Sequence, residues 1–268
     1  MTRNGYISGL IFVSFKNMAI DRAQWQQRLD KFRMPRWLCP TCNQGHFALA
    51  PKSFFYLPSR GGYVRLSEDP EDRGRDLPLR FSAFAQCDNS ACQETATISG
   101  SGTENWVEDF PSPQLYCEFS PEYIYPSPDL FSIPVATPSN LRRAIQSAFV
   151  LSWGEYEACV NRIRTSVEMV LDSLPIPRTR PNHGGHESFL NLYERIENVD
   201  EKFPHIGAIK QHLQACRLLG NVGSHSNDVT KEDVFDALEL LEAIVLVIYG
   251  EQARVTDLAE SIVARHRK

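Results

Sequence analysis

The sequence predicts an α+β protein in which a β-rich zinc ribbon is followed by an all-α helical bundle. The composition changes near residue 138: short segments with strand-like alternation precede it, and long stretches with helical periodicity follow it. Two cysteine pairs both lie in the first half. We therefore divide the chain into a candidate dispensable extension (1–17), the zinc-ribbon domain (18–110), a strap rich in proline and aromatic residues (111–138) and the helical domain (139–268).

The N-terminal residues carry an apolar run, Ile7 to Phe15, that falls well short of the roughly 20 residues needed to span a bilayer. No cleavage site of small residues follows it, as a signal peptide would require. Met18 offers an alternative start, which would make residues 1–17 unnecessary, and a short strand is the other interpretation. We expect a cytoplasmic protein without membrane contact, whose cysteines are reduced.

Short strand-like segments occupy the first half of the chain, among them HFALA, SFFYL, YVRLS, LRFSAFAQ and ETATIS. Clusters of Gly, Pro and Asp separate them, as expected for strands joined by turns. From Pro111 to Pro138 there are seven prolines interleaved with aromatic residues, which rules out a regular helix. We interpret that stretch as an extended strap packed on one of the domains.

Four cysteines have the spacing of a metal site. Cys39 and Cys42 lie in a proline-led turn, and Cys87 and Cys92 lie between two strand-like segments, where a hairpin tip is expected. Two such turns facing each other place four thiolates around a tetrahedral ion, so we predict a structural Zn²⁺ site. The alternatives are four unligated cysteines, or His46 in place of one thiolate.

Two other roles for these cysteines are disfavoured. Four protein ligands would leave zinc no open position, which argues against a zinc-dependent enzyme. A redox-active CxxC is disfavoured because no βαβ pattern surrounds it. The remaining cysteines, Cys117, Cys159 and Cys216, lie in apolar surroundings and are expected to be small core residues.

The stretch CRLLGNVGSH, Cys216–His225, places two glycines, an asparagine and a histidine at the end of an amphipathic helix. Each interior glycine should cost about 1 kcal/mol relative to alanine. If the helix continues to residue 225, Arg217, Asn221 and His225 share one face at intervals of four. A guanidinium, an amide and an imidazole in a row suit a phosphodiester. The competing interpretation is a helix that ends at Gly220, followed by a turn in which His225 is structural.

This stretch, the Leu/Val-rich helix after it and the segment EACVNRIRTSVEMVLDSL resemble the domain of unknown function 4145. The leader QWQQRLDKFRMPRWLCPTCNQGHF resembles the tryptophan and zinc-knuckle leader of its standalone members, so the resemblance covers roughly residues 20–255. This family is grouped with the HEPN superfamily of helical domains, many of which are metal-independent endoribonucleases in toxin–antitoxin, phage-defence and RNA-processing systems. The domain also occurs on motor subunits of type I restriction enzymes. The resemblance therefore implies an HEPN-like fold, bound RNA, a homodimer through the helical domain, and restriction or toxin–antitoxin partner proteins.

HEPN nucleases use an Arg-polar-x3-His motif, which this sequence carries only in part. Asn221 and His225 match the motif, but Gly220 stands in the arginine's place and Arg217 lies one turn earlier. The resemblance implies that His225 is the general acid or base, that Arg217 holds the scissile phosphate and that Asn221 orients it. The attacking group would be the RNA 2′-hydroxyl.

The expected function is that of an HEPN-like RNA-binding protein or metal-independent endoribonuclease in defence against foreign nucleic acid. The alternative is a non-catalytic adaptor whose zinc ribbon and helical bundle contact protein or nucleic-acid partners. Because the net charge is −5, any nucleic-acid contact must come from a local patch. Arg164 and Glu168, four residues apart on a helix, either support the site or form a plain surface ion pair.

Overall fold

The computed structural model describes residues 20–72, 75–107, 114–181, 184–199, 209–225 and 228–251, together with residues 207, 255, 262 and 265. The predicted extension, residues 1–17, lies outside them. The described part is a mixed structure in which an antiparallel sheet within residues 47–125 precedes helices that start at residue 139. Within these ranges no helix is long and apolar enough to cross a membrane.

Five strands form the sheet: β1 (Phe47–Leu49), β2 (Phe55–Pro58), β3 (Leu77–Cys87), β4 (Thr95–Val107) and β5 (Gln114–Tyr125). They pair antiparallel in the order β1–β3–β4–β5, and β2 lies beside β1 along the same edge of β3. Helix α1 (Arg22–Gln26) precedes the sheet, and α2 (Arg60–Glu68) follows β2. β3 alternates strictly between buried and exposed residues, so its odd-numbered side chains, ending with Cys87, face the core.

The predicted fold class is wrong in two respects. The described residues form no zinc ribbon: the cysteine pairs lie at one end of a five-stranded sheet whose strands β3 and β4 run for 11 and 13 residues. The helical half is not all-α, because β6 (Thr179–Pro181) and β7 (Glu187–Phe189) form a hairpin within it. The segment YVRLS, predicted as a strand, lies in α2, where Ser59 caps the helix by accepting a bond from Gly62.

Residues 114–125, inside the predicted strap, form the edge strand β5. Pro121 fits there because the register shifts beside it, opposite Ser99 and Gly100, and an edge strand tolerates a missing N–H group. After β5 the chain is irregular up to α3, and Leu130 and Phe131 of this segment are buried. The division of the chain into domains remains a prediction.

Among the described residues, the helices that follow are α3 (Ser139–Leu151), α4 (Tyr156–Ser173), α5 (Leu192–Glu197), α6 (Lys210–His225) and α7 (Lys231–Tyr249). α4 lies at the centre and packs against α3, α6 and α7. Its stripe of Ile163, Val167 and Val170 is fully buried, since residues three or four apart share a helix face. α7 begins with a capping box in which the side chains of Thr230 and Asp233 each accept a hydrogen bond from the other's backbone N–H.

Three tryptophans join the sheet to the helices. Trp25 in α1 stacks on Trp37 with ring centroids 6.1 Å apart, and both rings meet Trp153 edge-on at 5.7 and 5.0 Å. The Trp153 indole N–H donates to Ser127 Oγ at 3.0 Å, just after β5. Buried apolar residues of the two halves form one continuous core. Because Trp37 lies two residues before Cys39, this core fixes the first cysteine turn relative to the helices.

Candidate metal centre and candidate anion groove

Two tight turns carry the four predicted cysteines. Cys39 and Cys42 lie in the turn between Leu38 and β1, and Cys87 and Cys92 lie in the turn between β3 and β4, as predicted for a hairpin tip. The residue after each second cysteine, Asn43 or Gln93, has a positive φ, of 51° and 54° respectively. These left-handed positions turn the chain back sharply, so both sulfurs of each pair face the other pair.

The four sulfurs form one compact group. All four Sγ atoms lie within 4.8 Å of one another, with Cys39 and Cys92 3.9 Å apart and Cys42 and Cys87 3.7 Å apart. Four thiolates around one zinc ion at about 2.3 Å would be spaced by about 3.8 Å. The four cysteines therefore lie close enough together to bind one metal ion.

Backbone groups and burial set the electrostatics of the sulfurs. The N–H groups of Gly45 and Gln44 donate to Cys42 Sγ and lower the pKa of that thiol to about 6. Burial raises the pKa of Cys87 to about 12. A bound cation would deprotonate the Cys87 thiol as well, because the ion is then the largest charge in the site. Without such a charge, the buried thiol stays protonated.

The two turns are held together by more than their sulfurs. A Cβ at Gly45 would lie 2.5 Å from Cys87 Sγ and 2.7 Å from Asn89 Cβ, so only glycine allows this approach. His46 N donates to Asp88 Oδ1 at 2.7 Å, and Asp88 N donates to His46 O at 2.9 Å. In the part of the chain that the structure describes, the metal-ligand group contains the four cysteines and not His46, whose ring lies beside Arg36.

α6 is continuous from Lys210 to His225, so a helix that ends at Gly220 is excluded. Its glycines face α4. A Cβ at Gly220 would lie 2.4 Å from Arg164 Cβ, and one at Gly223 would lie 2.5 Å from Val160 Cγ2. The glycines are therefore needed for close contact between two helices, which offsets their poor helix propensity.

A groove opens between α4, α5 and α6, and we call it the anion groove. Its volume is about 260 Å³, and its lining residues are Arg164, Asn191, Leu192, Tyr193, Arg217 and Asn221. Two of the three predicted site residues, Arg217 and Asn221, thus come together with a second arginine. Two guanidinium groups and two amides in an open groove suit an anionic ligand.

The two arginines of the groove are held differently. Arg217 Nε donates to Gln214 Oε1 at 2.8 Å, and its guanidinium carbon lies 5.3 Å from the centre of the Tyr193 ring. Arg164 pairs with Glu168 at 3.2 Å, as the spacing allowed, yet its buried Nε has no hydrogen-bond partner among the described residues. Arg164 therefore retains a donor that the protein itself does not satisfy.

His225 is the last residue of α6, one turn beyond Asn221, and its side chain lies outside the described residues. The predicted acid or base therefore remains a prediction. Tyr193 and Asn191 were missed by sequence reasoning. The motif Asn191-x-x-Glu194 is a capping box and could have located the start of α5, but nothing local placed that helix beside α6.

Residues 145–262 match the family model described as a domain of unknown function (DUF4145), which confirms the predicted resemblance for the helical half. Residues 27–124 match a second model, also described as a domain of unknown function (DUF8608), instead of extending the first match. No curated protein and no solved structure matches the chain. The HEPN-like character of the fold is therefore not confirmed.

Proposed function

We propose that the protein binds RNA, with the phosphate backbone in the anion groove. The observation that carries this proposal is that Arg164, Arg217 and Asn221, from two different helices, line one open groove. A guanidinium binds phosphate through paired N–H donors, and the amide adds further donors. The whole chain has a net charge of −5 and would repel a polyanion. The attraction to RNA therefore has to come from the local positive charge of these two arginines.

The second part of the proposal is metal-independent cleavage of that RNA, as the resemblance to HEPN nucleases implies. α6 continues one turn past Asn221 to His225, and an imidazole can move a proton near neutral pH. The RNA 2′-oxygen attacks phosphorus and the bond to the 5′-oxygen breaks, which leaves a 2′,3′-cyclic phosphate and a 5′-hydroxyl. His225 takes the proton of the 2′-hydroxyl or gives one to the leaving oxygen, while Arg217 holds the phosphate.

A homodimer belongs to this proposal, because one imidazole cannot accept and donate a proton in the same step. Leu218 and Val222, both exposed, lie on α6 beside the groove residues and offer a second copy an apolar surface. The setting that we propose is the cytoplasm, in defence against foreign nucleic acid with restriction or toxin–antitoxin partner proteins.

The four thiolates hold one structural Zn²⁺ in this proposal. The sulfur spacing supports this, since two of the distances, 3.9 and 3.7 Å, are close to the spacing around a tetrahedral zinc ion and all four sulfurs lie within 4.8 Å of one another. With four protein ligands the ion has no open position for a water or a substrate. It ties the turn before β1 to the turn between β3 and β4 and takes no part in RNA cleavage.

The alternative, a non-catalytic adaptor, is favoured by one observation. Gly220 stands where HEPN nucleases have arginine, and its contact with Arg164 already explains why glycine is present. On this alternative the groove binds RNA, or an anionic group of a partner protein, without cleaving it.

Binding is tested by fluorescence anisotropy of a labelled RNA at fixed salt. We expect Arg217→Gln and Arg164→Gln each to weaken binding about ten-fold or more, since each removes a charge-assisted hydrogen bond. Arg143→Gln is the matched control, because Arg143 is exposed on α3, away from the groove. Equal affinity of all three variants and the parent would overturn the proposal.

Cleavage is tested with zinc-loaded protein and no added divalent metal, by assaying 2′,3′-cyclic phosphate ends. His225→Ala should abolish cleavage without changing the melting temperature, and His186→Ala, at an exposed loop position, should leave cleavage intact. Tight binding without cleavage by the parent protein would establish the adaptor instead. An unfolded His225→Ala variant would show that this histidine is structural.

A further inference from the structure

The aromatic ring of Tyr193 is the least expected component of the anion groove. Tyr193 as a whole residue is 50% exposed, although it lines a groove that two arginines also line. The Arg217 guanidinium lies over it at 5.3 Å, within cation–π distance. Tyr193 remains half exposed in spite of this contact with Arg217, so part of its ring is available to a ligand in the groove.

The position of Tyr193 is fixed by the start of α5. Asn191 and Glu194 form a full capping box, with both bonds at 2.9 Å, and this sets the first turn of the helix. Leu192 and Ile196 on either side of Tyr193 are buried, so the helix is anchored in the core. The ring is therefore carried by a fixed backbone, as a stacking surface requires.

The size of the groove limits what it can hold. Its volume of about 260 Å³ lies just below the roughly 300–1,000 Å³ of typical small-molecule pockets. A phosphate alone would leave most of it empty, whereas one nucleotide with its base would fill it. The arginines bind phosphate, which leaves the ring for the base.

We infer that Tyr193 stacks on one unpaired base, so that the groove holds a single extruded nucleotide of a single-stranded RNA segment. This inference rests on the proposed RNA binding and adds a specificity-determining residue to it. An aromatic ring accepts the face of any base, so the contact selects for an exposed base more than for its identity. A base inside a duplex is already stacked on both sides, and bringing it to the ring would require flipping.

The first experiment needs no variant and compares three RNAs by anisotropy: a hairpin with a single-stranded loop, a blunt duplex, and the same hairpin with an abasic loop. Phosphates are present in all three. We expect the first RNA to bind about ten-fold or more tightly than the other two, because base–aromatic stacking is lost in both. Equal binding of the loop and the abasic loop would overturn the role of Tyr193.

The second experiment uses variants at Tyr193. Tyr193→Leu should reduce binding of the loop to that of the abasic loop and leave the weak duplex binding unchanged, and Tyr193→Phe should restore loop binding. Tyr63→Leu is the matched control, because Tyr63 is similarly exposed at 53% on α2. If Arg217→Gln weakens all RNAs but Tyr193→Leu keeps the preference for the loop, the inference fails and RNA binding stands. If neither variant has an effect, the proposed function fails as well.

Discussion

The cysteine cluster and the anion groove differ in how the chain assembles them. Each cysteine pair lies within one short turn, and the two turns meet because β1 and β3 are neighbours in the sheet. The groove takes residues from α4, from the start of α5 and from α6, which are separate segments of the chain. The cluster thus needs only two local turns and the pairing of two strands. The groove forms only when three helices pack together.

Glycine has a different purpose in each region. In the cluster, Gly45 lets the two turns approach so closely that a Cβ at this position would lie 2.5 Å from Cys87 Sγ. In α6, Gly220 and Gly223 let two helices approach, while Arg217 and Asn221 turn toward the groove. The glycine-rich motif therefore serves two separate faces of one helix. A pattern that suggests a ligand site can be explained in part by packing.

The largest expected effect is the loss of one thiolate. Cys87→Ser should remove the metal and strongly destabilise the sheet, because zinc binding contributes roughly 10–16 kcal/mol to folding in zinc-finger peptides. Metal content and thermal unfolding measure this. Cys117→Ser, outside the cluster and beside Glu104, is the matched control and should keep the metal. A parent protein that is fully stable without metal would show that the cluster is not a structural centre.

Removing a glycine from the helix contact should have a smaller effect. A Cβ at Gly223 would lie 2.8 Å from the backbone oxygen of Glu157, which cannot move aside. We expect Gly223→Ala to lower the free energy of unfolding by about 1–3 kcal/mol despite the better helix propensity of alanine.

Urea denaturation measures this loss, with Gly61→Ala as the control. Gly61 lies in α2 and a Cβ there would meet nothing closer than 3.8 Å, so the substitution should be neutral or stabilising. A stabilised Gly223→Ala variant would mean that α4 and α6 are not in close contact. Gly220→Ala should lower stability as well, because the nearest atom, Arg164 Cβ at 2.4 Å, moves only with the backbone of α4, and it should also weaken RNA binding by displacing Arg164.

The local features could be predicted from the sequence. Spacing alone located both cysteine turns, and the Leu/Val-rich segment after the glycine-rich stretch located α7. The segments HFALA, SFFYL, LRFSAFAQ and ETATIS located β1 to β4, whereas β5 was not predicted, because Pro121 lies within it and is tolerated only through the edge position and the bulge. The start of α2 was also not predicted, because two adjacent glycines, Gly61 and Gly62, have low helix propensity.

The groove could be predicted only along one helix. Arg217 and Asn221 share a face by periodicity alone, so they were found together. Arg164, named from the sequence as one of two candidate supports of the site, does line the groove, whereas Tyr193 joins it through the packing of α5 on α6, which no spacing rule encodes. Arg164 Nε has no hydrogen-bond partner among the described residues, and this can be recognised only from the burial of the atom in the structure.

The smallest expected effect concerns the pH dependence of stability, which should differ between the two regions. Metal binding needs deprotonated thiols, so the cluster loses stability as the pH falls. The helical half behaves oppositely through Glu242 of α7, where burial, and next the charge of Glu239, raise the pKa of the carboxyl to about 7. Its Oε2 is buried without a hydrogen-bond partner among the described residues.

A carboxyl whose pKa is raised by folding from about 4.5 to about 7 favours the folded state at low pH, and this contribution is lost as the pH rises through 7. Glu242→Gln should therefore melt higher than the parent at pH 8, and the difference should shrink toward pH 4.5. The exposed Glu68→Gln is the control and should show no such trend. Because both proteins share the cluster, acid loss of metal cancels in their comparison. A difference that stays constant from pH 5 to pH 8 would contradict the burial of a charged Glu242, and would assign the pH dependence to the thiolates alone.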